Sequence, residues 1–99
     1  MVEIKIFLDE GDLHEDGPMY DYIMRYLMHN GIHGASILPV FAGFGSKHHL
    51  HLPNSIGSVD ESPLIIMFID EDDKIEVVLP HLKGIIKHNL IVKTKVEIP

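Results

Sequence analysis

The sequence predicts an α+β chain, a four-stranded antiparallel sheet with two helices on one face. Three observations carry this expectation. The opening residues alternate apolar and polar with a period of two. Two later stretches, one after Gly17-Pro18 and one after Asp70, repeat their apolar residues at helical spacing. The elements follow the order strand, helix, strand, long loop, strand, helix, strand, which is the ferredoxin-like split βαββαβ arrangement.

Each element has a physical reason. Val2, Ile4, Ile6 and Leu8 alternate with Glu3, Lys5 and Phe7, so the first strand has one apolar face. Asp9 to Gly17 (DEGDLHEDG) reads as a polar loop. Pro18 opens the first helix, where its missing N–H is harmless. Met19, Ile23 and Leu27 form the helix stripe, and Asn30-Gly31 supplies the chemistry of a left-handed C-cap. Gly34 to Phe41 reads as the second strand, and Pro39 confines it to a sheet edge or a bulge. Residues 42–62 form a long segment without clear periodicity, of the length that tends to carry function in compact domains. Leu64 to Ile69 (LIIMFI) is a continuously apolar strand. Asp70 to Asp73 suits a helix N-terminus and reads as helix capping. Ile75, Val78, Leu79, Leu82 and Ile86 continue at helical spacing, and Pro80 should kink or divide that helix. Asn89 turns the chain, and Leu90 to Ile98 reads as the last strand, with Lys93, Lys95 and Glu97 facing out.

Composition narrows the function. A chain of 99 residues fits one domain, residues 1–99. Eight Lys and Arg against 15 Asp and Glu give a net charge of -7, and Arg25 is the lone arginine. No basic face is available for phosphate neutralisation, so nucleic-acid binding is not expected. The absence of cysteine excludes disulfides, thiolate zinc sites and a cysteine nucleophile. No signal-peptide pattern opens the sequence, and the longest apolar run is too short to span a bilayer, so a cytoplasmic protein is expected. Eight histidines make the charge sensitive to mild acid, since protonating all of them moves it from -7 to -7 + 8 = +1.

The LIIMFI strand points beyond the monomer. An antiparallel sheet with one wet face should alternate in every strand, and this one does not. Its second face would expose Leu, Ile and Phe, each worth about 1.5–3 kcal/mol when buried. Self-association is the simplest cover, with a small exposed patch or a cover from the long loop as the alternatives.

The chemistry-bearing residues gather in the long loop. Gly43-Phe44-Gly45-Ser46-Lys47 follows a strand directly. Glycines there let backbone N–H groups approach an anion, with Ser46 and Lys47 completing a phosphate nest. This is no Walker motif, and the same glycines would also serve a flexible loop base. His48, His49 and His51 follow, and in an extended chain His49 and His51 share a face. Two imidazoles at that spacing can hold a divalent metal if further ligands arrive, or they can bond a phosphate. Glu10, Asp12, Glu15 and Asp16 surround His14 without a calcium-loop spacing and read as a solvated loop. No nucleophile with a base, oxyanion hole or cofactor fingerprint is visible, so no enzyme is expected.

Several of these residues together resemble the PII-like superfamily, and more closely a prokaryotic PII-like family of unknown function, family 190. They are IKIFLDEGD at the start, PMYDYI in the first helix, Gly31-Ile32-His33-Gly34-Ala35, Gly43-Phe44-Gly45 with His49-Leu50-His51, Ser62-Pro63-Leu64 with Asp70 at the strand end, and Leu79-Pro80. The chain departs from the family where Asp9 replaces a usual Gly and where Pro39-Val40 replaces a frequent Arg-Gly. The resemblance implies a homotrimer with the open sheet faces turned inward. It implies an adenine nucleotide (AMP, ADP or ATP) in intersubunit clefts near the loop base, held by Gly43, Phe44, Gly45, Ser46, Lys47, His49 and His51. It also implies signalling, with the 42–62 loop touching a partner protein, and a membrane transporter or channel is the partner class it suggests. The alternative is a metal-binding trimer of the divalent-ion-tolerance type that uses the loop histidines.

Overall fold

The computed structural model describes residues 1–45, 48, 50–53 and 62–99. The chain runs β1 (Val2–Asp9), β2 (Leu13–His14), β3 (Gly17–Pro18), α1 (Met19–His29), β4 (Ala35–Pro39), β5 (Pro63–Asp70), α2 (Asp72–Ile85) and β6 (Ile91–Lys95). Four strands form one sheet in the order β4-β5-β1-β6, every neighbouring pair antiparallel. The expected α+β, ferredoxin-like arrangement is therefore the one observed.

Register explains the core. Ile4 pairs with Phe68, Ile6 with Ile66 and Leu8 with Leu64, so the apolar residues of β1 and β5 share one face. The stripes of α1 (Met19, Ile23, Leu27) and α2 (Ile75, Val78, Leu82) close over that face. Helix α1 ends as its sequence requires. Gly31 has a φ of +84°, and the Ile32 N–H reaches back to the Leu27 carbonyl at 3.2 Å, the long bond of a Schellman turn. The same turn brings buried Ile32 onto the core beside Leu27.

Three local expectations change. The polar loop after β1 is not irregular throughout, because Leu13–His14 and Gly17–Pro18 pair as a small hairpin. Its turn places Glu15 at a φ of +55°. Pro80 does not divide the second helix, since α2 runs unbroken from Asp72 to Ile85 around it. The core provides the reason, for Val78 and Leu82 on either side of Pro80 are fully buried and hold the turn against the missing hydrogen bond. The face of β5 away from the helices carries Ile65, Met67 and Ile69, whereas Leu64, Ile66 and Phe68 are the core set. Pro39 sits at the end of edge strand β4, as its missing donor demands. Lys93 and Lys95 are exposed on β6, opposite Ile4 and Val2 in register and so at the rim of the helix-covered face.

Candidate functional site

The two ends of the long loop are tied to the sheet. At the first end, the Val40 N–H donates to the Pro63 carbonyl at 3.0 Å. Three residues on, Gly43 and His51 form an antiparallel bridge, with Gly43 N–H to the His51 carbonyl at 3.0 Å and His51 N–H to the Gly43 carbonyl at 2.8 Å. Inside that bridge, the His48 N–H donates to the Gly45 carbonyl at 2.9 Å and His48 takes a φ of +58°. At the far end, the Asp9 carboxylate accepts from Ser62 N–H at 2.9 Å and from Gly11 N–H at 2.8 Å, while the Glu10 N–H donates to the Ser62 carbonyl at 2.9 Å.

The acidic stretch after β1 is thus part of the framework. Asp12 accepts from the Asp9 N–H at 3.0 Å and from the Asn89 side-chain amide at 3.2 Å. This overturns the solvated-loop reading for Asp12, because its Oδ2 accepts both bonds and braces the β1 turn against the turn before β6.

The structure brings some of the expected site residues together. Gly43 and His51 face each other across the bridge, and Phe44 lies exposed with its ring 5.9 Å from His48. Ser46, Lys47 and His49 lie outside the described residues. Among the described residues, two polar groups at the loop base have no partner. The Gly43 N–H is engaged by the bridge, but the Gly45 N–H finds no acceptor among the described residues, and the buried Nδ1 of His51 finds no partner there either. A buried nitrogen left unpaired costs about 1–3 kcal/mol, so a bonding partner fits there. Phe41, Phe44, Leu50 and Leu52, each within two residues of Gly43 or His51 in sequence, are large exposed apolar side chains. Among the described residues, no group of three or more His, Asp or Glu side chains converges as a metal site.

A second cluster, at the opposite end of β5, escaped the motif reading. Asp70 is 1% exposed, yet the helix start around it predicted an exposed cap. The α2 cap residue, Glu71, makes no side-chain capping bond. Instead one Asp70 oxygen accepts from the His33 N–H at 2.9 Å and lies 3.2 Å from His33 Nδ1, while the other accepts from the Glu71 N–H at 2.8 Å. Burial pushes the Asp70 carboxyl up. The amide donors of His33 and Glu71 and the His33 ring outweigh burial and hold it below the usual carboxylate range. A signal existed in the sequence, since the period-two series Leu64, Ile66, Phe68 continues to Asp70 on the buried face.

The helices are joined by a ring cluster. The Tyr22 hydroxyl and His81 Nε2 share a hydrogen bond of 2.9 Å, His81 stacks on Tyr26 at 4.3 Å, and His14 packs on Tyr22 at 4.3 Å. Burial, and then the neighbouring Tyr22, push the Tyr26 hydroxyl above its ordinary value.

Sheet order, helix layer and tethered loop define the class, a PII-like fold. The chain matches CPII from Thiomonas intermedia K12, in a structure bound to ADP and bicarbonate, with a TM-score of 0.56 at 16% identity. That match covers 98% of this chain and 86% of CPII. Within that class the chain belongs to the family DUF190, described as Uncharacterized ACR, whose model matches residues 1–98. It is 30% identical over 96 residues to a UPF0166 protein of Aquifex aeolicus, covering 96% of this chain and 90% of the relative. It is 37% identical over 86 residues to a UPF0166 protein of Methanocaldococcus jannaschii, covering 87% of this chain and 79% of the relative. The expected membership in a PII-like family of unknown function is borne out. Among the described residues, no helix is long and apolar enough to cross a membrane.

Proposed function

We propose that this chain is a ligand-sensing protein of the PII type. It binds an adenine nucleotide in clefts between the subunits of a homotrimer and presents residues 42–62 to a partner protein. Its role is binding, not turnover. The observation that carries this reading is the backbone likeness over 98% of the chain to CPII, a protein solved with ADP and bicarbonate bound.

Two features of the chain support it. The loop base offers a Gly45 N–H with no acceptor among the described residues, a buried His51 nitrogen unpaired among them, and an exposed Phe44, a donor-and-ring set suited to a phosphate and a planar base. The open sheet face carries Ile65, Met67 and Ile69 with no helix over it among the described residues, which suits burial between subunits. Nucleotide occupancy would order one of two loop states, and a partner distinguishes them. A membrane transporter or channel is the partner class that the family resemblance points to.

Native mass spectrometry of the untagged protein, without added ligand, tests assembly and ligand together. A trimer carrying the mass of AMP, ADP or ATP is expected. A bare monomer overturns the reading, and a trimer with stoichiometric metal and no nucleotide replaces it with the metal-binding alternative. Gly45→Val then tests the site by calorimetric titration with ADP. Beyond the adjoining residues, no atom of the described residues lies within 4 Å of a Cβ added at Gly45, so the fold should survive while ADP affinity falls at least about tenfold. Unchanged affinity removes Gly45 from the site.

A further inference from the structure

The His33–Asp70 pair lies at the end of β4 and β5 remote from the loop base, because Ala35 pairs with Phe68 while Pro39 pairs with Leu64. Its geometry is that of an oriented imidazole. Asp70 is fully buried and accepts from the His33 backbone as well as lying against its ring, whereas the ring itself is 75% exposed. Nδ1 is 3.2 Å from the Asp70 oxygen and 3.5 Å from Lys74 Nζ. The nearer, carboxylate partner takes the Nδ1 proton, which leaves Nε2 directed away from Asp70 with nothing bonded to it among the described residues.

His33 also lines a groove of about 450 Å³ between α1 and the start of β4. Met24, Leu27, Met28 and Ile32 give the groove an apolar lining, and Met28 is 64% exposed. Arg25 lines it too. Its Nε is held by both oxygens of Asp21, at 3.1 and 3.0 Å, and its terminal nitrogens make no hydrogen bond among the described residues. The groove therefore combines an adaptable thioether lining with two nitrogen donors whose rear contacts are already fixed by carboxylates.

We propose that this groove is a second ligand site, which takes a small amphipathic anion with its apolar tail on Met24 and Met28 and its headgroup on His33 Nε2 and the Arg25 guanidinium. The headgroup chemistry is a carboxylate or a phosphate monoester. Binding the anion draws a proton onto Nε2, and the ionised Asp70 behind the ring supports the imidazolium. The charged groups facing His33 are Asp70 from β5 and Lys74 from α2, with Asp21 and Arg25 of α1 on the shared groove. The site uses residues separate from the nucleotide reading and stands or falls apart from it.

The test uses the full chain with hexanoate and hexyl phosphate as probes, hexanol as the uncharged control, and the methyl NMR signals of Met24 and Met28 as readout. Saturable shifts are expected with both anions, and for hexanoate, which stays ionised over this range and is the probe for every pH comparison, affinity should be at least about fivefold higher at pH 6 than at pH 8. His33→Gln should remove the pH dependence and weaken binding about tenfold, and Arg25→Gln should weaken it by a similar factor without removing the pH dependence. Gly45→Val should leave all of this unchanged. The relative affinity of the two anions identifies the headgroup. Hexanol binding as tightly as hexanoate, pH dependence retained in His33→Gln, or no saturable shift overturns the proposal. Arg25 is a solvent-exposed side chain, so its variant keeps the test decisive if His33→Gln is poorly folded.

Discussion

The two faces of β5 are built from similar side chains and meet different surroundings. Leu64, Ile66 and Phe68 are at most 6% exposed beneath the helices, while Ile65, Met67 and Ile69 alternate with them on a face with no helix over it among the described residues. Neighbouring β1 behaves otherwise, because its open face carries Glu3 and Lys5 in a 3.5 Å ion pair beside Phe7. Hydrophobicity alone does not say what covers a strand. The helix face is covered by its own chain, and the central apolar band of the open face is suited to cover from another.

The sharpest break of this comparison is Phe68→Ala. Emptying that site should cost about 3–5 kcal/mol in urea unfolding, the range for a large core truncation. Asp70→Asn comes next, at about 1–3 kcal/mol, since the amide replaces an acceptor that three donors use. Its pH signature is specific. The folded-state value of Asp70 is depressed, so its contribution is present above the unfolded carboxylate pKa of about 3.9 and is lost as pH falls through the lower folded value. Acid unfolding curves of Asp70→Asn should therefore be flatter than wild type below about pH 4. Met67→Asp should change subunit stability by no more than about 0.5 kcal/mol, the range for a surface position, while lowering the sedimenting mass toward 11.2 kDa. A loss as large as that of Phe68→Ala would erase the distinction between the faces. Lys5→Ala should cost only a few tenths of a kcal/mol and less in high salt, as an exposed ion pair does.

How far the sequence could be read follows the range of the interactions. Strand β1, the Asn30-Gly31 helix end and the edge position of Pro39 depend on neighbours a few residues away, and each was legible. The sheet order followed from the succession of elements. Asp70 was read as a helix cap because its bonding to His33 spans 37 residues, a distance that local patterning does not see. Pro80 was read as a breaker because propensity weighs the missing N–H and not the buried Val78 and Leu82 that hold the turn. Asp12 reads as part of a solvated loop because its partner Asn89 comes from a remote part of the chain, as Ser62 does for Asp9. At the loop base the Gly43–His51 pairing was not foreseen, although both residues were singled out for their chemistry.

The two ties at the ends of the long loop also bear on how such a protein can diversify. Val40 is pinned to Pro63, and Asp9 grips Ser62, so the sheet is clasped independently of what lies between. The entropic cost of closing a chain between fixed ends grows slowly with its length, about 0.6 kcal/mol for each doubling. These two ties therefore hold the sheet whatever length of chain joins them. The clasp separates the part of the chain that holds the sheet from the part that is open to change.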